Sequence, residues 1–372
     1  MGENTNNYFI FASDKRSYLD TVNVVKELKN RNINYFYLFS EHSQTQDPSD
    51  LSNFSYDTNM DLLTSIPYNS INCSLPFKPD VVILTRESWQ PQQSIIAEFK
   101  QKGSIITCIE NATWIIGTIK SRMEMISRYR YPTNCIDIFF EHSLWSLETK
   151  KVCGWYDFKS KIVGNPKYDN IDSKLQDGND ILVFGTMENE AKIKVYEILE
   201  KLKTTNKKIY YRPHPGEIES NPNMDIEGIQ IIFNESEIPQ IASKCDFHLA
   251  NMGASAYYSV LFNKTFVALD QNIGRIEDLN IDFFKNNSHE YNFWAPIIGV
   301  SSWEEFVNKI DLNRVEQLKN RFEEVKKSLL FYDEALDFLK INNKPVVSDF
   351  FDNFNDQKAS KRIIDEIENT LG

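Results

Sequence analysis

The chain predicts an α/β architecture of two successive open, mostly parallel sheets. Short runs rich in Ile, Val, Phe and Tyr alternate with segments of helical spacing, the pattern of repeated βα units. The pattern stops near the middle, at a polar stretch with a Gly-Asn-Pro turn, and then starts again. The length of 372 residues is too great for one ordinary core and fits two units.

In the first half, Tyr8–Ser13, Ile33–Ser40, Asp80–Thr85, Ser104–Ile109 and Cys135–Phe140 read as strands. Each is a short, nearly continuous apolar run, as a strand buried on both faces requires. Helical spacing predicts helices over Tyr18–Asn30, Gln92–Lys102 and Thr113–Arg130. Glu41–Lys78 is polar, carries three prolines and has little periodicity, so it reads as a long loop. The turn cluster within KIVGNPKYD (Lys161–Asp169) and the polar Asp172–Asp180 join the halves. In the second half ILVFGT (181–186), KKIYYRPHP (207–215), GIQIIF (228–233), DFHLA (246–250) and TFVALD (265–270) supply strands. Helices are expected near Glu188–Lys203, Glu237–Lys244 and Ala254–Phe262. From Trp303 to Gly372 the chain reads as helical and charged, with an irregular break over Asn342–Asp356.

Composition narrows the function classes. The net charge is −12 and the pI about 5.1, which argues against a nucleic-acid binder. No apolar run approaches the roughly 18–20 residues of a membrane span, and MGENTNNYFIFAS lacks a signal peptide's basic n-region and cleavage site. A cytoplasmic protein is expected, with the inner face of the cell membrane as an alternative place of action. Leu312–Tyr332 mixes Lys and Arg with Leu, Val and Phe, a composition compatible with peripheral membrane contact. Its acidic residues favour packing against the domains. Cys73, Cys108, Cys135, Cys153 and Cys245 are scattered, without CxxC or a cluster of His residues among them, so reduced, mostly buried thiols are expected rather than a zinc site or disulfides.

Open parallel sheets bind ligands at the carboxyl ends of their strands. Three loops there carry the chemistry. In Tyr211-Arg212-Pro213-His214-Pro215-Gly216, two prolines fix the backbone around His214, and Arg212 stands two residues earlier. An imidazole and a guanidinium at a strand end suit a phosphate; the alternative is an incidental surface turn. In Leu249-Ala250-Asn251-Met252-Gly253-Ala254-Ser255, Gly253 permits close approach and Ser255 offers a hydroxyl, unless Ser255 merely caps its helix. In Phe184-Gly185-Thr186, Gly185 permits close approach and Thr186 can donate, against a plain turn. Asp270 closes TFVALD, where a carboxylate suits the hydroxyls of a ribose or of a donor's sugar part, or is a solvated loop carboxylate. All of these fall at strand ends of one half.

The succession GNPKYD, ILVFGT, YYRPHPGE and DFHLANMGASAYYSVLFNKTFVALD, over residues 161–270, resembles the second half of GT-B glycosyltransferases. It is most similar to bacterial enzymes of surface-carbohydrate synthesis: Kdo, sialic acid and polyol-phosphate transferases with a His-Pro pair. More distantly it resembles non-hydrolysing nucleotide-sugar epimerases. The resemblance implies two Rossmann-like domains facing a central cleft, with a helical C-terminal tail. Expected bounds are 1–165 for the acceptor-side domain, 166–340 for the nucleotide-donor domain and 341–372 for the tail. It also implies donor-phosphate binding by His214 and Ser255, with His214 counted among the catalytic residues. Glu110-Asn111-Ala112 follows the strand SIITCI where polyol-phosphate transferases place His-Gly and sialyltransferases an acidic pair before Gly, so the first domain matches neither.

What the resemblance implies is an inverting, metal-independent glycosyltransferase without a cofactor. It would move a sugar from a CMP- or UDP-linked donor to a bacterial surface glycan or lipid-linked glycan. The alternatives are a CDP-glycerol-type polyol-phosphate transferase, a nucleotide-sugar epimerase and a non-catalytic GT-B-like binding subunit. Inversion needs a base near the acceptor hydroxyl. Glu110, ending a strand at the cleft edge, is the first choice; Asp14, Glu87, Glu141 and His142 end other strands and compete. Among the aromatics Trp89, Trp114, Trp145, Trp155, Trp294 and Trp303 serve either sugar stacking or, more commonly, core packing.

Overall fold

The computed structural model describes residues 6–41, 54–60, 75, 77–85, 90–110, 136–152, 159–171, 178–186, 189–251, 254–269, 312–341 and 354–372. The first half builds β1 (Asn7–Ala12), α1 (Lys15–Asn30), β2 (Asn34–Phe39), β3 (Ser55–Thr58), β4 (Val81–Leu84), α2 (Gln90–Gln101), β5 (Ile105–Ile109), β6 (Ile138–Glu141), α3 (Leu144–Val152) and β7 (Lys159–Ile162). Among the described residues its sheet has the order β3-β2-β1-β4-β5-β6-β7. Neighbours pair in parallel except β2 and β3.

The unbroken apolar runs follow from burial of both faces. Phe9, Phe11, Phe36, Leu38, Val82 and Leu84 enter one core. The residues between them, Tyr8, Ile10, Tyr35, Tyr37, Val81 and Ile83, enter the other. This is the two-residue strand period with apolar side chains in both phases. Helix α1 starts three residues before the predicted Tyr18, because Asp14 takes the N-cap and accepts the Ser17 N–H at 2.9 Å.

The second half builds β8 (Asp180–Phe184), α4 (Asn189–Leu202), β9 (Ile209–Arg212), α5 (Pro215–Ser220), β10 (Gln230–Ile231), α6 (Ile238–Lys244), β11 (Cys245–Ala250), α7 (Tyr257–Leu261), β12 (Thr265–Ala268), α8 (Leu312–Ser328), β13 (Leu330–Phe331) and α9 (Ala359–Leu371). Its sheet runs β10-β9-β8-β11-β12-β13, with parallel pairing throughout. The strand order reverses at β8 and β11, the switch point where a crevice opens beyond the strand ends.

Sequence patterning did not predict β3, β7 or β13. The first lies in the polar stretch 41–78, and β7 reads KSKI, whose lysines suit an edge strand rather than a core run. Strand β13 has two residues, and only its pairing with β12 defines it. The predicted helix Thr113–Arg130 lies outside the described residues. Helix α9 returns to the first sheet, where Ile363, Ile364 and Ile367 join the core beneath α1. Asp169, in the connecting segment, caps α9 by accepting the N–H groups of Ala359 (3.1 Å) and Ser360 (2.6 Å). Asn23 of α1 donates to the carbonyls of Pro166 (2.9 Å) and Asp169 (3.0 Å), so the connection is fastened to α1 and α9 together. Helix α8 packs against α3: Arg314 pairs with Glu148 at 3.9 Å, and the Arg321 guanidinium lies 5.9 Å from the Trp145 ring centre. Trp145 is thereby core, not a sugar platform. Among the described residues no helix is long and apolar enough to cross a membrane.

Cys108 and Cys245 are buried thiols in no disulfide among the described residues, and burial pushes Cys245 up to about 12. Cys73, Cys135 and Cys153 lie outside the described residues. His248 is fully buried in β11. Its Nε2 lies 3.0 Å from the Ala242 carbonyl and its Nδ1 3.1 Å from Ser259 Oγ. A carbonyl only accepts, so the proton sits on Nε2 and the ring is neutral. Burial lowers its pKa from 6.5 to about 4. Between those values the unfolded chain binds a proton that the folded chain excludes, so stability present above pH 6.5 is lost as pH falls toward 4. Urea midpoints at pH 7 and 4.5 are expected to differ more in the wild type than in His248→Asn; equal differences contradict this assignment.

Candidate functional site

The site is built around the end of β9. Pro213 ends the strand and Pro215 opens α5, leaving His214 extended (φ −61°, ψ 145°) at the N-cap. The cap is reciprocal. His214 Nδ1 accepts the Gly216 N–H at 3.2 Å, and Glu217 Oε2 accepts the His214 N–H at 2.9 Å. Burial lowers the His214 pKa; Arg16 and Arg212 push the same way, while Glu217 and Glu219 oppose them. The ring is therefore neutral at pH 7, with Nδ1 engaged as acceptor and the proton on Nε2.

Gly185, after β8, lies against this cap. A methyl group there would penetrate Glu217 Oε2 and stand 2.7 Å from Tyr211 Oη and 2.8 Å from the His214 nitrogen. The glycine thus admits the cap, a reason for its presence beyond approach to a ligand. Glu217 is buried, receives the Tyr211 hydroxyl at 3.0 Å and lies 3.4 Å from Lys192 Nζ. Arg212 donates to the carbonyls of Ile232 (2.9 Å) and Phe233 (2.6 Å), tying β9 to the end of β10, and burial lowers its pKa.

These strand ends surround a cavity of about 430 Å³ lined by Gly185, Thr186, Arg212, His214, Asn251 and Ser255, among others. Sequence reasoning placed Gly185, Thr186, Arg212, His214 and Ser255 at a donor site, and the fold brings all five to one cavity. It assigned no role to Lys167, Glu235 or Tyr258, which line it too. The GNPKYD segment held the signal for Lys167: Asn165 accepts the Lys167 N–H at 3.1 Å and closes a 3-10 turn, Pro166–Tyr168, beside the cavity. Tyr168 then stacks on Tyr257, ring centres 3.9 Å apart. Gly253 and Asp270 lie outside the described residues.

Glu235 follows β10 and meets cations from both halves: Lys15 Nζ at 3.3 Å and Lys167 Nζ at 3.5 Å. Burial raises its pKa, but Lys167, Lys15 and Arg212 outweigh that and hold the carboxyl below the usual range. An anion entering the cavity competes with Glu235 for these charges. Glu235→Gln is therefore expected to tighten inorganic pyrophosphate binding roughly two- to fivefold, the range open to a partly exposed pair. Weaker binding, measured by calorimetry, would mean that the carboxylate instead holds the lysines in place.

Asp14, Glu110, Glu141 and His142 do not line this cavity; they stand at the carboxyl edge of the first sheet. Glu110 does not present a free carboxylate at the cleft edge. It is buried, with Oε2 accepting the His142 N–H at 2.8 Å and Oε1 accepting the Ser146 hydroxyl at 2.7 Å. The His142 ring lies beside it, Nδ1 3.7 Å from Oε2, and is also buried. Asp14 is the cap of α1. Glu141 is buried, 3.4 Å from the Ser160 hydroxyl. Glu87 lies outside the described residues, as do Trp89, Trp114, Trp155, Trp294 and Trp303. Among the described residues no three His, Cys, Asp or Glu side chains come together to hold a metal ion.

No protein-family model matches the chain, and no curated protein matches it in sequence. Solved structures match over nearly its full length. The UDP-GlcNAc 2-epimerase of Neisseria meningitidis, bound to UDP-GlcNAc, is 13% identical over 98% of this chain and 100% of its own, with a TM-score of 0.54. The wall teichoic acid polymerase TagF is 12% identical over 99% of this chain and 90% of its own, TM-score 0.51. The glycotransferase of kitacinnamycin is 8% identical over 99% of both chains, TM-score 0.51. With two parallel, doubly wound sheets and a C-terminal helix returned to the first, the chain has the GT-B fold of two Rossmann-like domains.

Proposed function

We propose that the protein is an inverting, metal-independent glycosyltransferase that takes a nucleotide-sugar donor, CMP- or UDP-linked, and glycosylates a bacterial surface glycan or its lipid-linked precursor. The observation that carries this reading is the convergence of Thr186, Arg212, His214 and Ser255, from three separate strand ends, on one cavity at the switch point of the second sheet. The domains in this reading are 1–165 on the acceptor side, 166–340 on the donor side and 341–372 as the tail.

The chemistry follows from the charges. As the acceptor oxygen attacks the anomeric carbon, the bond from that carbon to the donor phosphate oxygen breaks from the opposite face. Negative charge then grows on the phosphate. Arg212, Lys167 and the Nε2–H of His214 surround that charge with donors already oriented, which lowers the barrier. The acceptor proton passes to a base from the first sheet's carboxyl edge, where Glu110, Asp14, Glu141 and His142 stand, all of them buried; both Glu110 oxygens already accept hydrogen bonds, from His142 and Ser146.

Two solved neighbours favour related readings. The Neisseria meningitidis epimerase carries UDP-GlcNAc, and one TagF structure was soaked with CDPG. Product analysis separates the readings. Incubation with UDP-GlcNAc, a CMP-linked sugar and CDP-glycerol, each with and without a glycan acceptor, is expected to release nucleotide only with acceptor and to give a glycoside of inverted configuration. Epimerised donor without acceptor, or transfer of a polyol phosphate, would replace this reading.

A further inference from the structure

His214 has a surrounding that a surface turn does not need. Four elements converge on one buried carboxylate, that of Glu217. Tyr211 in β9 donates its hydroxyl at 3.0 Å, Lys192 in α4 approaches to 3.4 Å, and the loop after β8 has a glycine because any side chain would strike it. The fourth partner is the backbone N–H of His214, at 2.9 Å. That bond holds residue 214 in the extended conformation from which Nδ1 reaches the Gly216 N–H at 3.2 Å. With Nδ1 occupied as an acceptor, the neutral ring carries its proton on Nε2.

We infer that Glu217 is the positioning residue of the anion site: its carboxylate, fixed by Tyr211 and Lys192, sets both the backbone at His214 and the Nε2–H tautomer of the ring. His214 then serves as a hydrogen-bond donor to phosphate oxygen, not as a proton-transfer group. An ordinary capping box needs neither the contact from a lysine of another helix nor the glycine opposite. The inference rests on reading the cavity as a phosphate site, but the tautomer can be measured without any ligand.

The test uses the full chain and inorganic pyrophosphate as probe. Nitrogen-detected NMR of the His214 ring reports the tautomer, and calorimetry reports affinity, in wild type, Glu217→Gln, Glu217→Asp, Glu217→Ala and His214→Ala. Glutamine keeps an acceptor at the same reach, so Glu217→Gln is expected to retain the Nε2–H signature and bind within about threefold of wild type. Aspartate falls one methylene short. Glu217→Asp and Glu217→Ala are expected to lose the single-tautomer signature and bind roughly tenfold more weakly, with no further loss on adding His214→Ala. Wild-type tautomer and affinity in Glu217→Asp, or additive losses in the double variant, overturn the inference while leaving the phosphate site standing. Wild-type binding by His214→Ala overturns the phosphate site itself, and with it the part given to Glu217.

Discussion

Gly185→Ala is expected to cost about 3 kcal/mol of stability and to abolish measurable pyrophosphate binding, an outsized response to one methyl group. The added carbon would overlap Glu217 Oε2 and stand 2.7 Å from Tyr211 Oη and 2.8 Å from the His214 nitrogen. None of the three neighbours retreats easily. The carboxylate is buried and held by Tyr211 and Lys192, and the nitrogen belongs to a backbone fixed between two prolines. The strand also resists, because the Gly185 N–H donates to the Arg212 carbonyl at 2.8 Å. Gly228→Ala is the control: it has a left-handed φ of 77° but no atom within 4 Å of an added carbon. There the cost is the backbone penalty alone, about 1 kcal/mol. Urea unfolding compares the two, and equal losses would remove the steric account of Gly185.

Glu110→Ala is expected to lower stability by about 2–4 kcal/mol, because it strands two buried donors and empties the space between them. The His142 N–H and the Ser146 hydroxyl both give their hydrogens to this carboxylate. Glu110→Gln keeps one acceptor oxygen but sets an amide against the second donor, so a smaller loss is expected. The pair of variants separates support from proton transfer. If Glu110 only supports the His142 loop, turnover falls in step with stability. A turnover loss in Glu110→Gln at unchanged stability would return Glu110 to the role of base.

The difference between these two positions shows what the sequence made legible. The loops after β8, β9 and β11 could be placed because each follows a continuous apolar run, and parallel sheets present such loops along one edge. What those loops do to one another was not legible. Gly185 reads as a position open to a ligand, yet its nearest neighbour is a carboxylate 32 positions on. Glu110 was correctly put at a strand end, but its partners His142 and Ser146 come from β6's end and from α3, a pairing that no local pattern encodes. Lys167 and Glu235 were passed over for the same reason. One sits in a turn and the other after a two-residue strand far along the chain, and no local pattern encodes their pairing. Short edge strands were lost because β7 has lysines where a core run has valines, and β13 is too short to show a period.

The proposed activity requires the cavity at His214 to be a nucleotide-phosphate site. Calorimetric titration of the full chain with UDP, CDP, CMP, GDP and ADP, repeated on His214→Ala, addresses that directly. One nucleotide is expected to bind, to raise stability by about 2.7 kcal/mol at 100 times its dissociation constant, and to lose at least roughly tenfold in affinity in the variant. A chain that binds none of the five, or binds one equally well without His214, contradicts the account.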